Sequence, residues 1–257
     1  MDLLDEIRAK QHRLADFLGG HKLDAVLLTE RPNFAWITAG RCNRIANNAT
    51  DGVATILATP DKLLCLANNI ESPRMNAEEF HGTGIETISF PWWDPAAAKT
   101  IAADAIGSLK VATDGHDFGL DLPHLPADFT KLRWSLTSEE ISRYRHSGRL
   151  ASQAMEQACH AIHPGMTEHA IAGVLDQQIH SAGLNPVVTL IATDKRIFNF
   201  RHPIPKSKPL RSYAMLVTCA EYCGLISCLT RFVSFLSNFG NLLFCSQGIV
   251  WSTLPPW

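Results

Sequence analysis

Residues Tyr213–Arg231 read YAMLVTCAEYCGLISCLTR, and the fold of the chain turns on how this stretch is read. Tyr213–Cys219 and Leu225–Phe232 are rich in Val, Ile, Leu and Thr, which is the composition of strands. Gly224 lies between them where a tight turn is needed, so the two runs are expected to form a hairpin. Cys219, Cys223 and Cys228 fall on it as C-x3-C-x4-C. A soft metal such as zinc would accept these thiolates, but a structural zinc site takes four ligands in paired spacing and the hairpin contributes no histidine. Buried, inert thiols are the expectation.

Upstream of the hairpin, Ser138-Glu139-Glu140 supplies a cap and an acidic first turn for a long helix reaching about Ile162, ended by Pro164-Gly165. Thr167, Glu168, His169 and Ala170 open a second helix with Ile171, Val174, Leu175 and Ile179 on one face and Gly183 as its stop. Val187–Ala192 reads as a further strand, so this half is α+β. In the first half, Leu3, Leu4, Ile7, Leu14 and Leu18 mark an amphipathic helix closed by Gly19-Gly20. Strands are expected at Asp24–Leu28, Gly52–Ala58, Lys62–Ala67, Glu86–Phe90 and Lys110–Thr113, with a short helix from Pro32 and an Ala-rich one over Pro95–Ser108. That half is mixed α/β, with a boundary near Leu125–Leu136.

The chain has 257 residues, 46% hydrophobic and 19% charged, with a formal net charge of -2. Those values describe a globular chain of one large or two modest domains and exclude a disordered or collagen-like one. The near-neutral balance lacks the clustered Lys and Arg that nucleic-acid phosphates demand, so no nucleic-acid partner is expected. Neither G-x-x-x-x-G-K-[ST] nor G-x-G-x-x-G occurs. The first twenty residues mix acids with bases and read as neither a secretory signal nor a transit peptide. Seven scattered cysteines do not form a disulfide framework, and reduced thiols in a cytoplasmic protein are expected. No stretch approaches the roughly 18 apolar residues of a membrane span, so no membrane partner is expected.

In order, Leu136-Thr137-Ser138-Glu139-Glu140-Ile141, His163-Pro164-Gly165-Met166-Thr167-Glu168, Arg201-His202-Pro203, and Gly224 with Ser227 and Leu229-Thr230-Arg231 resemble the pita-bread metallopeptidases. That family includes aminopeptidase P, prolidase and creatinase. The resemblance covers about residues 3 to 231 and implies an α/β creatinase-like N-terminal domain (1–135) followed by an incomplete α+β pita-bread domain (136–231). Residues 232–257 form a divergent tail with no charged residue, expected to be buried, to associate, or to be sequence never selected to complete this fold.

The resemblance also implies two divalent ions, Mn, Co or Zn, held by two Asp, one His and two Glu, whose shared hydroxide attacks a carbonyl next to proline. Here the chain departs from the pattern. Aligned on Leu229-Thr230-Arg231, the first two ligand positions fall at Val217 and Cys228; aligned from Leu210 and Met215, the first falls at Cys219. None is a carboxylate, and the tail contains neither His nor Glu for the later positions. Glu221, the nearest acid, is expected at the hairpin turn, not obviously facing that site. No metal ligand and no cofactor are therefore expected.

By the same resemblance His202 is the substrate-contacting histidine, with a loop histidine bonded to backbone as the alternative. Arg201 beside it could hold an anionic ligand. A Cys228–His202 nucleophile pair is a further candidate. His160, His163, His169 and His180 read as surface or capping residues. Asp194-Lys195-Arg196 reads as a solvated loop cluster, and Trp92-Trp93 as half-buried, with one indole the more exposed. The expected function is that of a degenerate or truncated Xaa-Pro peptidase-like protein, impaired in catalysis. The alternative is a non-catalytic relative that binds a peptide, a small amide or a protein partner; the resemblance also allows a homodimer.

Overall fold

A computed structural model describes residues 3–235, which divide into two compact units at Ile141/Ser142. The first unit is built on a five-stranded mixed sheet in the order β4-β3-β2-β1-β5. Its strands are β1 (Ala25–Glu30), β2 (Asp51–Ala58), β3 (Leu63–Asn68), β4 (Glu86–Phe90) and β5 (Val111–Thr113). β2 and β3 form the hairpin expected from Thr59-Pro60-Asp61, and β5 lies parallel to β1. Alternate residues of β1 point to opposite faces, as the period of a strand requires. Val26 and Leu28 pack with α1 (Leu3–His21) and α2 (Arg31–Ile37), whereas Ala25 and Leu27 pack with α4 (Pro95–Ile106). A short helix α3 (Ser72–Arg74) leads into one π turn, Met75–Glu79, after β3. The unit is a three-layer α/β/α arrangement.

Two local details differ from the sequence reading. Gly19-Gly20 does not stop α1, which runs to His21. Lys22 takes the left-handed position at φ 56, while the Leu23 and Lys22 amides donate to the carbonyls of Leu18 and Gly19. This Schellman closure normally uses glycine at the Lys22 position. The cap of α5 (Ser138–Ala161) is Thr137, not Ser138: Thr137 Oγ1 accepts from the Glu140 amide at 3.1 Å, and Glu140 Oε2 accepts from the Thr137 amide at 2.9 Å. Thr137-x-x-Glu140 is thus a reciprocal capping box.

The second unit packs α5 and α6 (Glu168–Ser181) on one face of a three-stranded antiparallel sheet, β6 (Asn185–Thr193), β7 (Tyr213–Tyr222) and β8 (Leu225–Ser234), in the order β6-β7-β8. Ala151, Met155 and Ala158 of α5, with Ile171, Leu175 and Ile179 of α6, bury Ile191, Ala214, Leu216, Ala220 and Val233. Small residues on α5 let the helix sit close to the strands. The expected uncharged tail enters the described residues only as far as Phe235; residues 236–257 lie outside them. Among the described residues no helix is long and apolar enough to cross a membrane.

In the first unit Lys10 sits in the apolar stripe of α1 between Ile7 and Leu14 and is completely buried. Its Nζ donates to Glu6 Oε1 at 2.7 Å and to Glu140 Oε1 at 2.8 Å, both carboxylates also buried. One cation therefore compensates two acids that have no access to water. Replacing it, Lys10→Met, removes the cation shared by two buried carboxylates and is expected to lower the unfolding free energy by about 3–5 kcal/mol. An unchanged urea midpoint would contradict this.

Candidate functional site

Thr167 caps α6, its Oγ1 accepting from the Ala170 amide at 3.2 Å. The next side chain, Glu168, is thereby turned into the interior, where it is fully buried. Its Oε1 accepts from the Thr193 amide at 2.9 Å and from Thr193 Oγ1 at 3.0 Å, and its Oε2 accepts from the Lys206 amide at 2.9 Å. Arg196 of α7 (Arg196–Asn199) completes the ion pair with Oε2. A second carboxylate, Asp194, stands at a left-handed turn, φ 50. Its oxygens accept from the Arg211, Ser212 and Tyr213 amides at 2.9–3.1 Å. The segment between β6 and β7 is therefore pinned at both ends by anions that satisfy its backbone donors.

This corrects the reading of Asp194-Lys195-Arg196 as a solvated cluster. Only Lys195 faces solvent. Asp194 binds backbone, and Arg196 spans buried Glu168, the Ile204 carbonyl at 3.1 Å and the ring of Phe200 at 5.4 Å. Arg201 and His202 lie exposed on the pinned segment. The neighbouring Pro203 carbonyl accepts from the Ile191 amide at 3.2 Å, docking the segment beside β6. Phe198, Phe200 and Ile204, each at least 50% exposed, accompany these two candidates.

The face of the sheet opposite α5 and α6 carries the other candidate positions. Val188 and Leu190 of β6 stand opposite Cys219 and Val217 of β7, which in turn stand opposite Cys228 and Thr230 of β8. By alternation Glu221 shares this face, two residues from Cys219, paired with Ile226, and 3.4 Å from Asn185 Nδ2. This differs from the expectation of Glu221 at the turn, which is instead Cys223-Gly224 and begins two residues further on. Cys219 and Cys228 are direct neighbours, Sγ to Sγ 3.2 Å. Burial, reinforced by the adjacent Cys228, pushes the Cys219 thiol up to about 12.

Two sequence expectations, the burial of the thiols and the Cys228–His202 pair, change on this face. The thiols are not buried, since Cys223 and Cys228 are exposed and Cys219 is half-buried. Cys219, Cys223 and Cys228 do not converge, and among the described residues no group of three or more His, Cys, Asp or Glu could hold a metal ion. The suggested Cys228–His202 pair spans the sheet: Cys228 is on β8 at one edge, whereas His202 lies beside β6 at the other. Two strand spacings amount to about 10 Å. His160, His163, His169 and His180 are all exposed.

The first unit holds a cavity of about 560 Å³ that the sequence did not reveal. Thr29, Asp51, Asn68, Trp92, His116 and Phe118 are among its lining residues. Trp92 and Trp93 are both exposed, 60% and 62%, and meet edge to face at 6.0 Å, which overturns the half-buried expectation. Near it Asp114 accepts from the Thr29 amide at 2.7 Å and from Asn33 Nδ2 at 2.9 Å. Its pKa is raised by burial, an effect those donors oppose.

Residues 142–241 match the model of metallopeptidase family M24, so the resemblance to the pita-bread metallopeptidases is borne out. The mixed α/β fold of the chain matches solved structures across both units. A Bacillus anthracis Xaa-Pro dipeptidase superposes with a TM-score of 0.66 at 17% identity, covering 90% of this chain and 65% of that one. The prolidase from Pyrococcus horikoshii OT3 gives 0.68 at 19% identity, covering 89% and 65%. The N-terminal domain of FACT complex subunit SPT16 from Cicer arietinum gives 0.60 at 13% identity, covering 90% and 67%. The chain thus spans about 65% of the length of the two peptidase structures. No curated protein sequence matches it.

The residues present do not fit the pair of divalent ions that the family implies. Val217 offers no donor atom, Cys219 and Cys228 offer soft sulfur, and Glu221, the single carboxylate on this face among the described residues, is bonded to Asn185. Hard ions bridged by a hydroxide need several anionic oxygens at one point. The missed residue here is Glu168, visible in the sequence as the last member of Pro-Gly-Met-Thr-Glu but legible there only as a first-turn acid.

Two outcomes follow. Glu168→Ala strands Arg196 and frees the Thr193 and Lys206 amides, so hydrogen exchange at those two amides should accelerate at least about tenfold; unchanged protection would remove Glu168 as the anchor. At pH 8, iodoacetamide should label exposed Cys228 faster than Cys219, whose raised pKa keeps it in the unreactive thiol form. Peptide mass spectrometry of partially labelled protein reads the order.

Proposed function

We propose that the chain is an Xaa-Pro peptidase-like protein, a creatinase-like domain (1–135) joined to part of a pita-bread domain (136–231), that does not hydrolyse peptides by the family's dinuclear route. The observation carrying this reading is the sheet face that bears Val217, Cys219 and Cys228, the residues that the family resemblance aligns with the first two ligand positions. A thiol and an aliphatic side chain cannot supply the hard, charge-balancing oxygens that lower the pKa of a bridging water. The substitution lies inside sequence that otherwise keeps the family pattern, including Leu229-Thr230-Arg231.

A retained binding role is the second reading, and the pinned segment favours it. Glu168 and Asp194 pin the ends of the segment that carries Arg201 and His202 together with exposed Phe198, Phe200 and Ile204. A guanidinium and an imidazole beside apolar surface suit a peptide or small amide that carries an anionic end and a proline ring. The likeness to a FACT complex subunit supports this direction, because that protein is named for an assembly and not for peptidase activity.

The test is metal stoichiometry of the folded full chain after exposure to Mn, Co and Zn, with Xaa-Pro dipeptide cleavage followed in the same samples. No turnover and no stoichiometric pair of ions are expected; two tightly held ions with turnover would overturn the proposal. For the binding reading, calorimetry with an uncleaved Xaa-Pro dipeptide should show an affinity that falls at least about tenfold in Arg201→Ala, from loss of a charge-assisted bond. Equal affinity in wild type and variant would remove Arg201 from the site.

A further inference from the structure

The β7–β8 turn is Cys223-Gly224, with both residues at positive φ, 49 and 75. That is the two-residue primed turn that matches the twist of a hairpin. Tyr222↔Leu225 closes it as a hydrogen-bonded pair, and the pattern alternates outward. Glu221↔Ile226 is then non-bonded, Ala220↔Ser227 bonded, and Cys219↔Cys228 non-bonded. At non-bonded pairs the two Cα atoms approach to about 4.5 Å with side chains close together. A disulfide tolerates Cα separations of about 4.4–6.8 Å. The two thiols are already 3.2 Å apart on the face that α5 and α6 leave uncovered, and Cys228 is exposed.

From this geometry we infer that Cys219 and Cys228 form a reversible cross-strand disulfide when a low-molecular-weight disulfide is present as oxidant. The Cys228 thiolate attacks one sulfur of that disulfide, forming a mixed disulfide and expelling one small thiolate. The Cys219 sulfur then displaces the second small thiolate, to which its proton passes. Two protein thiols lose two electrons, and one small disulfide becomes two small thiols. Cys219 is unsuited to the first attack, because burial and the adjacent Cys228 hold its thiol at about 12. Once Cys228 carries the mixed disulfide, its own charge no longer opposes ionisation of Cys219. Two sulfurs that belong to no group of three or more potential metal ligands among the described residues suit a covalent bond better than a four-coordinate metal.

The full chain is incubated under native conditions with excess oxidised glutathione, remaining thiols are capped with iodoacetamide, and the protein is cut without reduction by trypsin and a glutamyl endopeptidase. Cleavage after Arg211, Glu221 and Arg231 puts Cys219 in 212–221 and Cys228, with Cys223, in 222–231. The expected product is these two peptides joined, lighter by two hydrogens than their sum, with the cap on Cys223. Cys223→Ser should keep the joined product and Cys228→Ser should abolish it. Capping of both Cys219 and Cys228 at saturating oxidant, or a bond that uses Cys223, would overturn the inference.

Discussion

The carboxylate of Glu168 is the group on which the second unit's candidate surface depends, because it satisfies donors from three separated stretches at once. The end of β6 gives the Thr193 amide and hydroxyl, the α7 turn gives Arg196, and the return toward β7 gives the Lys206 amide. A buried anion is costly unless each of its lone pairs is used, and here the cost is offset by ordering a segment with little regular structure of its own. Asp194 performs the same service through three consecutive amides at the entry to β7. Arg201 and His202 lie on the segment that these two acids pin at its ends, beside the Pro203 carbonyl that accepts from the Ile191 amide of β6.

Much of the fold was legible. Alternation and turn chemistry placed the β2–β3 and β7–β8 hairpins, and Thr167 and Gly183 bounded α6, because those signals act over a few residues. The buried Lys10 was not legible. Its place in the apolar stripe of α1 could be seen, but its partner Glu140 is 130 residues away and nothing local announces it. The cavity of the first unit was hidden for the same reason, since its lining is gathered from four strands and the turns around Trp92 and His116. The candidate site was half legible: the absence of carboxylates at Val217 and Cys228 was plain, whereas the direct opposition of Cys219 and Cys228 required the register.

The likenesses and the residues pull in different directions. Both units follow the architecture of prolidases and Xaa-Pro dipeptidases, and the segment from Ser142 onward carries the M24 pattern. Yet architecture is maintained by α5, α6 and the buried face of the sheet, while chemistry would be carried by the opposite face. Selection on the first does not protect the second. Leu216 and Ala220 are held by packing; Val217 and Cys219, between and beside them, are not.

The β7–β8 ladder pairs ten residues on each strand, Tyr213↔Ser234 to Tyr222↔Leu225, with no bulge. Such a ladder imposes a parity rule on the gene. Adding or removing one residue in either strand would rotate every later side chain to the other face, burying Cys219 or Cys228 under α5 and driving Leu216 or Ala220 outward. Changes in twos conserve the assignment. Val217 and Cys219, the two residues that the resemblance aligns with the first ligand position, differ by two and lie on the same face. Whichever alignment describes the ancestry of the hairpin, the chemical character of that surface comes out the same.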